Sequence, residues 1–278
     1  AVMDLLSWSL RLFRVSGITV RAHWSLLVII LYDLFLYVGR AGLPWWLGFA
    51  FVGLLFISIL LHEFGHALTA RAVGGDCRTI VMWMMGGLAE CQVPMRPWRQ
   101  FVVSAAGPAV TGLIALAAWG LSVGLRDWAG GEVVRILLGY TVLVNVRLLL
   151  FNLIPCYPLD GGRMLLSVAW AGFGMRWATT ITLCLSYPSV IAMIVWAIWS
   201  DNSLFFGLSL WLLMSLAQEH QSLRRGGSAF GLDLGYDNGR TDTRSWLGRW
   251  REGRRQHARE RREKEEDAEQ ETLDRLLD

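Results

Sequence analysis

Six stretches of this sequence stay apolar over the roughly 20 residues that a helix needs to cross the hydrocarbon layer of a bilayer. They lie at about 22–39, 45–72, 98–124, 132–156, 176–200 and 203–220. In lipid every backbone amide must find its partner within the protein, so such stretches fold as helices. The expected fold is an all-α polytopic membrane protein with six transmembrane helices. After a proline break the fourth stretch continues into apolar Pro158 to Gly172. Residues 132–172 read as one broken helix, with a span plus a re-entrant piece as the alternative. Composition agrees: 54% of the residues are apolar and 18% charged, against about 45–50% and 25% in soluble domains. Residues 1–220 carry 13 basic and 10 acidic residues, and the last 58 carry 13 of each. The chain thus divides into a membrane core, 1–220, and a polar cytoplasmic tail, 221–278. The net charge of +3 (13 − 10, then 13 − 13) gives no reason to expect nucleic acid as a partner. The partners expected are the bilayer itself and, as an open option, further copies of the chain.

Arginine placement orients the core, because basic residues collect on the cytoplasmic side. Arg11, Arg14, Arg21, Arg71, Arg78, Arg96, Arg99, Arg163, Arg176, Arg224 and Arg225 fall on one side, and Arg40, Arg126 and Arg135 on the other. Both termini are then expected in the cytoplasm of a bacterial cell. The first apolar segment lacks a small-residue cleavage site, so no cleaved leader is expected.

Two pieces on the cytoplasmic side read as short membrane-associated β-hairpins. One is 9–23, which turns at Val15-Ser16-Gly17. The other is 77–93, with Gly86-Gly87 between two apolar runs. An open strand cannot face lipid, so the second must be shielded by protein or by a partner strand. Residues 221–245 read as a linker. Residues 246–278, basic and then acidic, read as a solvated helix or a disordered arm. The four cysteines, Cys77, Cys91, Cys156 and Cys184, fit neither a CxxC pair nor a disulfide framework and are expected to be reduced, buried thiols.

The chemistry concentrates in His62-Glu63-Phe64-Gly65-His66, at the end of the second apolar stretch. Residues i and i+4 share a helix face, so two imidazoles at this spacing can address one metal ion. Zinc lowers the pKa of a water it binds to about 7, and Glu63 can then take its proton. A catalytic zinc site needs a third protein ligand and one open position. Few acids lie in the apolar stretches. Asp33 falls toward the opposite membrane face. Asp160, in Asn152-Leu-Ile-Pro-Cys-Tyr-Pro-Leu-Asp160-Gly-Gly-Arg, lies on the correct side. Pro155 and Pro158 break the helix there, and Gly161-Gly162 permits close approach, so Asp160 can project into a cavity.

The His-Glu-x-x-His helix, the Asn-x-x-Pro-x-x-Pro-Leu-Asp-Gly-Gly segment and Gly107-Pro108 between them resemble the site-2 protease family of intramembrane metalloproteases. Order and spacing fit over most of residues 9–170. The resemblance is nearest to the bacterial branch with a six-span core, which includes sporulation-factor processing proteases. It implies zinc held by His62, His66 and Asp160, and Glu63 as the catalytic base. It implies that Asn152 positions substrate or stabilises the developing oxyanion, where a helix-break cap is the alternative. It also implies that the 77–93 hairpin, with Gly86 and Gly87, offers an edge strand to an extended substrate, where an apolar hairpin that only packs on the bundle is the alternative. That substrate is expected to be another membrane protein, probed first as a single-span anchor. A protease must attack unwound peptide, and strand addition would hold one open. Many relatives carry a PDZ domain or a cystathionine-synthase-like pair, and neither pattern is present in this sequence. The tail is expected to serve regulation in their place.

Other residues fit ordinary roles. His23 reads as an interfacial histidine, with gating as the alternative. Asn145 and Arg147 read as inward-facing structural groups of the fourth span, with hydrogen bonding near the site as the alternative. Trp45, Trp46, Trp98, Trp128 and Trp196 read as interface anchors. The basic part of the tail can meet anionic lipid or solvent. Two rival functions stay open: a membrane metal-binding or transport protein, and an inactive protease-like scaffold. Ligands grouped on one side of the midplane weigh against transport. A general base weighs against a scaffold.

Overall fold

The computed structural model describes residues 9–126, 128 and 131–224 of the 278-residue chain. The expected charged arm 246–278, and all of the expected linker beyond residue 224, lie outside them. The described residues open with β1 (Ser9–Val15) and β2 (Ile18–His23), joined by Ser16-Gly17. Both turn residues have positive φ, 49° and 77°, as a two-residue hairpin turn requires. There follow α1 (Leu26–Leu34), which loosens into a π-turn at Phe35–Arg40, and α2 (Trp45–Ala72). Next come β3 (Asp76–Trp83), β4 (Gly86–Gln92) and α3 (Pro97–Gly124), which starts on a proline whose missing N–H is not needed there. The rest is helical: α4 (Glu132–Asn152), α5 (Asp160–Phe173), α6 (Met175–Trp199) and α7 (Ser203–Arg224).

The molecule is a mostly helical membrane protein with a small β-sheet. Among the described residues four helices, α2, α3, α4 and α6, are long and apolar enough to cross a bilayer. The other two expected spans correspond to α1, nine residues before its π-turn, and to α7, which ends in polar Gln218-Glu219-His220-Gln221. The stretch 132–172 is two separate helices. Residues 153–159 between them are not helical and include a cis Tyr157–Pro158 bond.

The two hairpins, expected as independent pieces, form one sheet in the order β1-β2-β3-β4. Parallel pairing of β2 with β3 (Thr19 opposite Thr79 through Ala22 opposite Met82) joins them. Parallel strands need a long crossover, and α1 with α2 supplies it. This pairing shields two strand edges that would otherwise stand open beside lipid. Ile18, Val20, Ile80 and Met82 pack against Ala67, Ala70 and Val103, which seats the sheet on one end of α2 and α3. The second hairpin turns at Met84–Met85 rather than at the glycines, since Trp83 pairs with Gly86 and Met82 with Gly87. Cys77 and Cys91 face each other in this register, with Cα atoms 4.2 Å apart, and form a disulfide. The expectation of four reduced thiols is thereby corrected to two, Cys156 (buried) and Cys184 (exposed). Sequence separation hid the pair because only the strand register brings it together.

Arg71, in the last turn of α2, ties the sheet to the bundle. Its guanidinium donates to the carbonyls of Ser16, Gly17 and Cys77, with Nε 2.9 Å from Cys77 O. Hydrogen bonds from a charged donor contribute about 1.5–3 kcal/mol when buried, and these are partly exposed. Arg71→Ala is expected to cost about 1–2 kcal/mol. Thermal unfolding of the purified chain in detergent, read beside proteolytic nicking in the sheet, checks this. The tryptophans Trp45, Trp46, Trp98, Trp128 and Trp196 are all exposed, as interface anchors are.

Candidate active site

The 28 residues of α2 rise about 42 Å at 1.5 Å per residue, more than the roughly 30 Å of a hydrocarbon core. His62, Glu63 and His66 fall in its second half, facing into the bundle. His62 is 4% exposed and Glu63 8%. Asp160 arrives from the other direction as the first residue of α5. Pro155 and Pro158 keep 153–159 out of the helix. Gly161 and Gly162 let the first turn of α5 lie directly on the backbone of residues 153–157.

Three atoms converge: His62 Nε2, His66 Nε2 and Asp160 Oδ2. The two nitrogens are 3.1 Å apart, and the oxygen is 3.0 Å from one and 3.2 Å from the other. Three mutual hydrogen bonds cannot fill such a triangle, because there are too many lone pairs and too few protons. A cation shared by the three atoms satisfies all of them. Zinc–ligand bonds of about 2.0–2.1 Å in a tetrahedron put ligand atoms about 3.3 Å apart, close to the observed edges. Two imidazoles and a carboxylate are also a donor set that zinc accepts, with a fourth position left open. His66 donates from Nδ1 to the Val103 carbonyl of α3 at 2.7 Å. That bond fixes the tautomer and leaves Nε2 free for a metal. The residues therefore fit zinc.

Glu63 stands beside this triangle. The Ala89 backbone amide of β4 donates to its carboxylate. An amide so used is not in the ladder to β3, so Ala89 faces the open edge of the sheet, and Gly87, two residues back, faces it too. A Cβ on Gly87 would run into Glu63 Cγ and lie 2.7 Å from Cδ. A Cβ on Gly107 of α3 would likewise strike His66 Nε2 and lie 2.7 Å from His62 Cε1. In the sequence Gly107 marked only a family resemblance, and the Val103 carbonyl and Ala89 amide, being backbone groups, gave no sign at all.

The remaining candidates are placed as follows. Gly86 opens β4 with φ of 127°. Asn152, the last residue of α4, turns its amide onto the Leu148 carbonyl at 3.0 Å. His23 Nδ1 bonds the Ser25 hydroxyl at 2.8 Å and takes no part in the triangle. Asn145 is fully buried, as expected, and donates to Ser58 Oγ of α2 at 2.9 Å. Arg147, expected to face inward, is exposed. It lies little more than a turn from the end of α4, where a long side chain can snorkel to the interface.

A helical bundle that encloses a zinc-fitting triangle and a carboxylate within one of its spans defines an intramembrane metal site of the metallopeptidase type. Comparison with known proteins gives the family: the model for peptidase family M50 matches residues 50–127 and 126–195, more than half of the sequence, and this chain belongs to that family. It is 40% identical to the sll0528 protein of Synechocystis sp. over 130 residues, 46% of this chain and 34% of that protein. It is 27% identical over 216 residues to zinc metalloprotease MJ0392 of Methanocaldococcus jannaschii, 77% of this chain and 61% of that one. The solved structure of the site-2 protease from Methanocaldococcus jannaschii superposes with a TM-score of 0.57 at 25% identity. It covers 76% of this chain and 95% of that structure. The chain spans between a third and under two thirds of the length of these curated relatives.

Proposed function

We propose that this chain is an intramembrane zinc endopeptidase of the site-2 type, which hydrolyses a peptide bond in another membrane protein. The observation that carries the reading is the ligand triangle of His62, His66 and Asp160 with Glu63 beside it, against the open edge of β4. Zinc held there supplies Lewis acidity toward a carbonyl and lowers the pKa of a water it binds to about 7. Glu63 takes the proton of the attacking water and returns it to the leaving amine. The edge of β4 at Gly87 receives the substrate as an added strand, which keeps its backbone satisfied while its carbonyls are exposed. Asn152 positions the substrate from the end of α4, using the amide oxygen that its bond to Leu148 leaves free.

The working topology is six spans, with α1 and its π-turn as the first and α7 as the last. Residues 1–220 form the enzyme core, 221–278 a cytoplasmic extension, and both termini face the basic side, in a bacterial cytoplasmic membrane. In support, Leu27, Leu31 and Phe35 of the first segment are exposed, and Leu212 and Leu216 of α7 pack on Cys156 and Leu159 beside Asp160. The substrate we propose is a single-span membrane protein.

Metal analysis of the purified chain, with a cleavage assay on single-span proteins in the same vesicles, tests this. One zinc per chain is expected, with cleavage stopped by a chelator and restored by added zinc. Zinc-dependent movement of metal across the vesicle without cleavage would overturn the assignment.

A further inference from the structure

His66 has an outer partner in the Val103 carbonyl, but the equivalent atom of His62, Nδ1, has none among the described residues. A metal-ligating histidine almost always gives its second ring N–H to an acceptor, which sets the tautomer and the ring plane. In a span, with no bulk water, an unmet buried N–H is costly. One turn before His62 on the same helix face is Ser58, 3% exposed. Helical side chains lean toward the N-terminus, so the His62 ring lies over the Ser58 turn. Ser58 Oγ accepts from Asn145 Nδ2 at 2.9 Å, across from α4. The same amide nitrogen also donates to Thr141 O at 2.9 Å, so both of its protons are used. The amide oxygen, Asn145 Oδ1, is buried and without a partner among the described residues. A donor and an acceptor, each buried and each unmatched, thus flank Ser58: His62 is one helical turn further along α2, and Asn145 is bonded to the Ser58 hydroxyl from α4.

We infer that Asn145 is a positioning residue for the metal, its Oδ1 serving as the acceptor for the Nδ1–H of His62 with the Ser58 hydroxyl holding the amide in place. The contact is relayed through one molecule of water, since Oδ1, Nδ1 and Ser58 Oγ together offer the two to four polar partners that a buried water needs. With the proton kept on Nδ1, His62 presents Nε2 as a lone pair to the triangle. The same relay couples α4, whose end leads into the Asp160 segment, to the helix that carries both histidines. The inference rests on the metal-site reading above.

Cobalt titration of the full-length chain in detergent tests it, against a competing chelator and with the visible Co(II) bands recorded. Asn145→Leu removes the acceptor at similar volume and is expected to weaken cobalt affinity by roughly 10–100-fold and to shift the bands. Asn145→Asp keeps an acceptor oxygen but loses both amide donors, and is expected to bind more weakly than wild type and more tightly than Asn145→Leu. Ser58→Ala is expected to weaken binding in the same direction by a smaller factor. A purely structural role would move thermal stability alone. Wild-type affinity and bands in Asn145→Leu, or an Asn145→Asp loss as large as the leucine loss, would overturn the inference. Where Asn145→Leu does not fold, Ser58→Ala decides, and unchanged affinity in it counts against the idea. A wild-type chain that binds no cobalt removes the metal-site reading itself, a result separate from any difference between variants.

Discussion

Glu63→Gln is expected to lower cleavage of a membrane substrate by roughly 10²–10⁴-fold while the purified variant still holds one zinc per chain. Glutamine has nearly the shape of glutamate and no basic carboxylate. It still offers an oxygen to the Ala89 amide, so the packing of β4 against α2 is retained. The ligand triangle is made by other side chains and survives. The split between metal content and turnover is the informative part. Loss of both would place Glu63 among the metal's structural supports. Loss of neither would mean that the proton is carried elsewhere. A transport protein would carry metal in this variant as well as before. A rate assay in proteoliposomes, beside metal analysis of the same preparation, reads all of these outcomes.

The features legible in the sequence were those with a local cause. His62 and His66 meet because four residues bring a helix back to the same face. Asp160 reaches them because Pro155 and Pro158 prevent α4 from continuing, and this too is a property of a few adjacent residues. The first hairpin turned where Ser16-Gly17 said it would. Features that depend on distant register were not legible. The parallel pairing of β2 with β3 involves residues some 60 positions apart, and nothing in either strand announces it. The Cys77–Cys91 disulfide follows from that same sheet. The pair Gly86-Gly87 suggests a turn, because turns are the commonest reason for such a pair. Here the turn fell to Met84–Met85. Gly86 takes a positive φ instead, and Gly87 makes room for a side chain of another element. Arg147 was read inward from the cost of charge in lipid, but its nearness to the helix end relaxes that cost.

Two glycines at the site are expected to lose cleavage alike but to differ in zinc content when each gains one methyl group. Gly107 is in the middle of α3, where alanine is intrinsically better than glycine by about 1 kcal/mol. If Gly107 were only a helix residue, Gly107→Ala would stabilise the chain. The added Cβ, however, lands on His66 Nε2 and 2.7 Å from His62 Cε1. Both imidazoles must move. A shift of about 1 Å in such a constellation costs on the order of 10²-fold in rate. Zinc content and cleavage are therefore expected to fall together. Gly87 has no positive φ to defend, and alanine suits a strand better than glycine does. The three heavy atoms nearest its new Cβ are Cγ, Cδ and Oε1 of Glu63, none of them a ligand atom. Gly87→Ala is expected to leave zinc in place and to lower cleavage by about 10²-fold, because the base is pushed from its position. Side-by-side metal analysis and single-turnover cleavage of the two variants reads the difference. Equal zinc loss in both would mean that base and metal ligands shift as one unit. Full activity in both would remove the close packing described at these two positions.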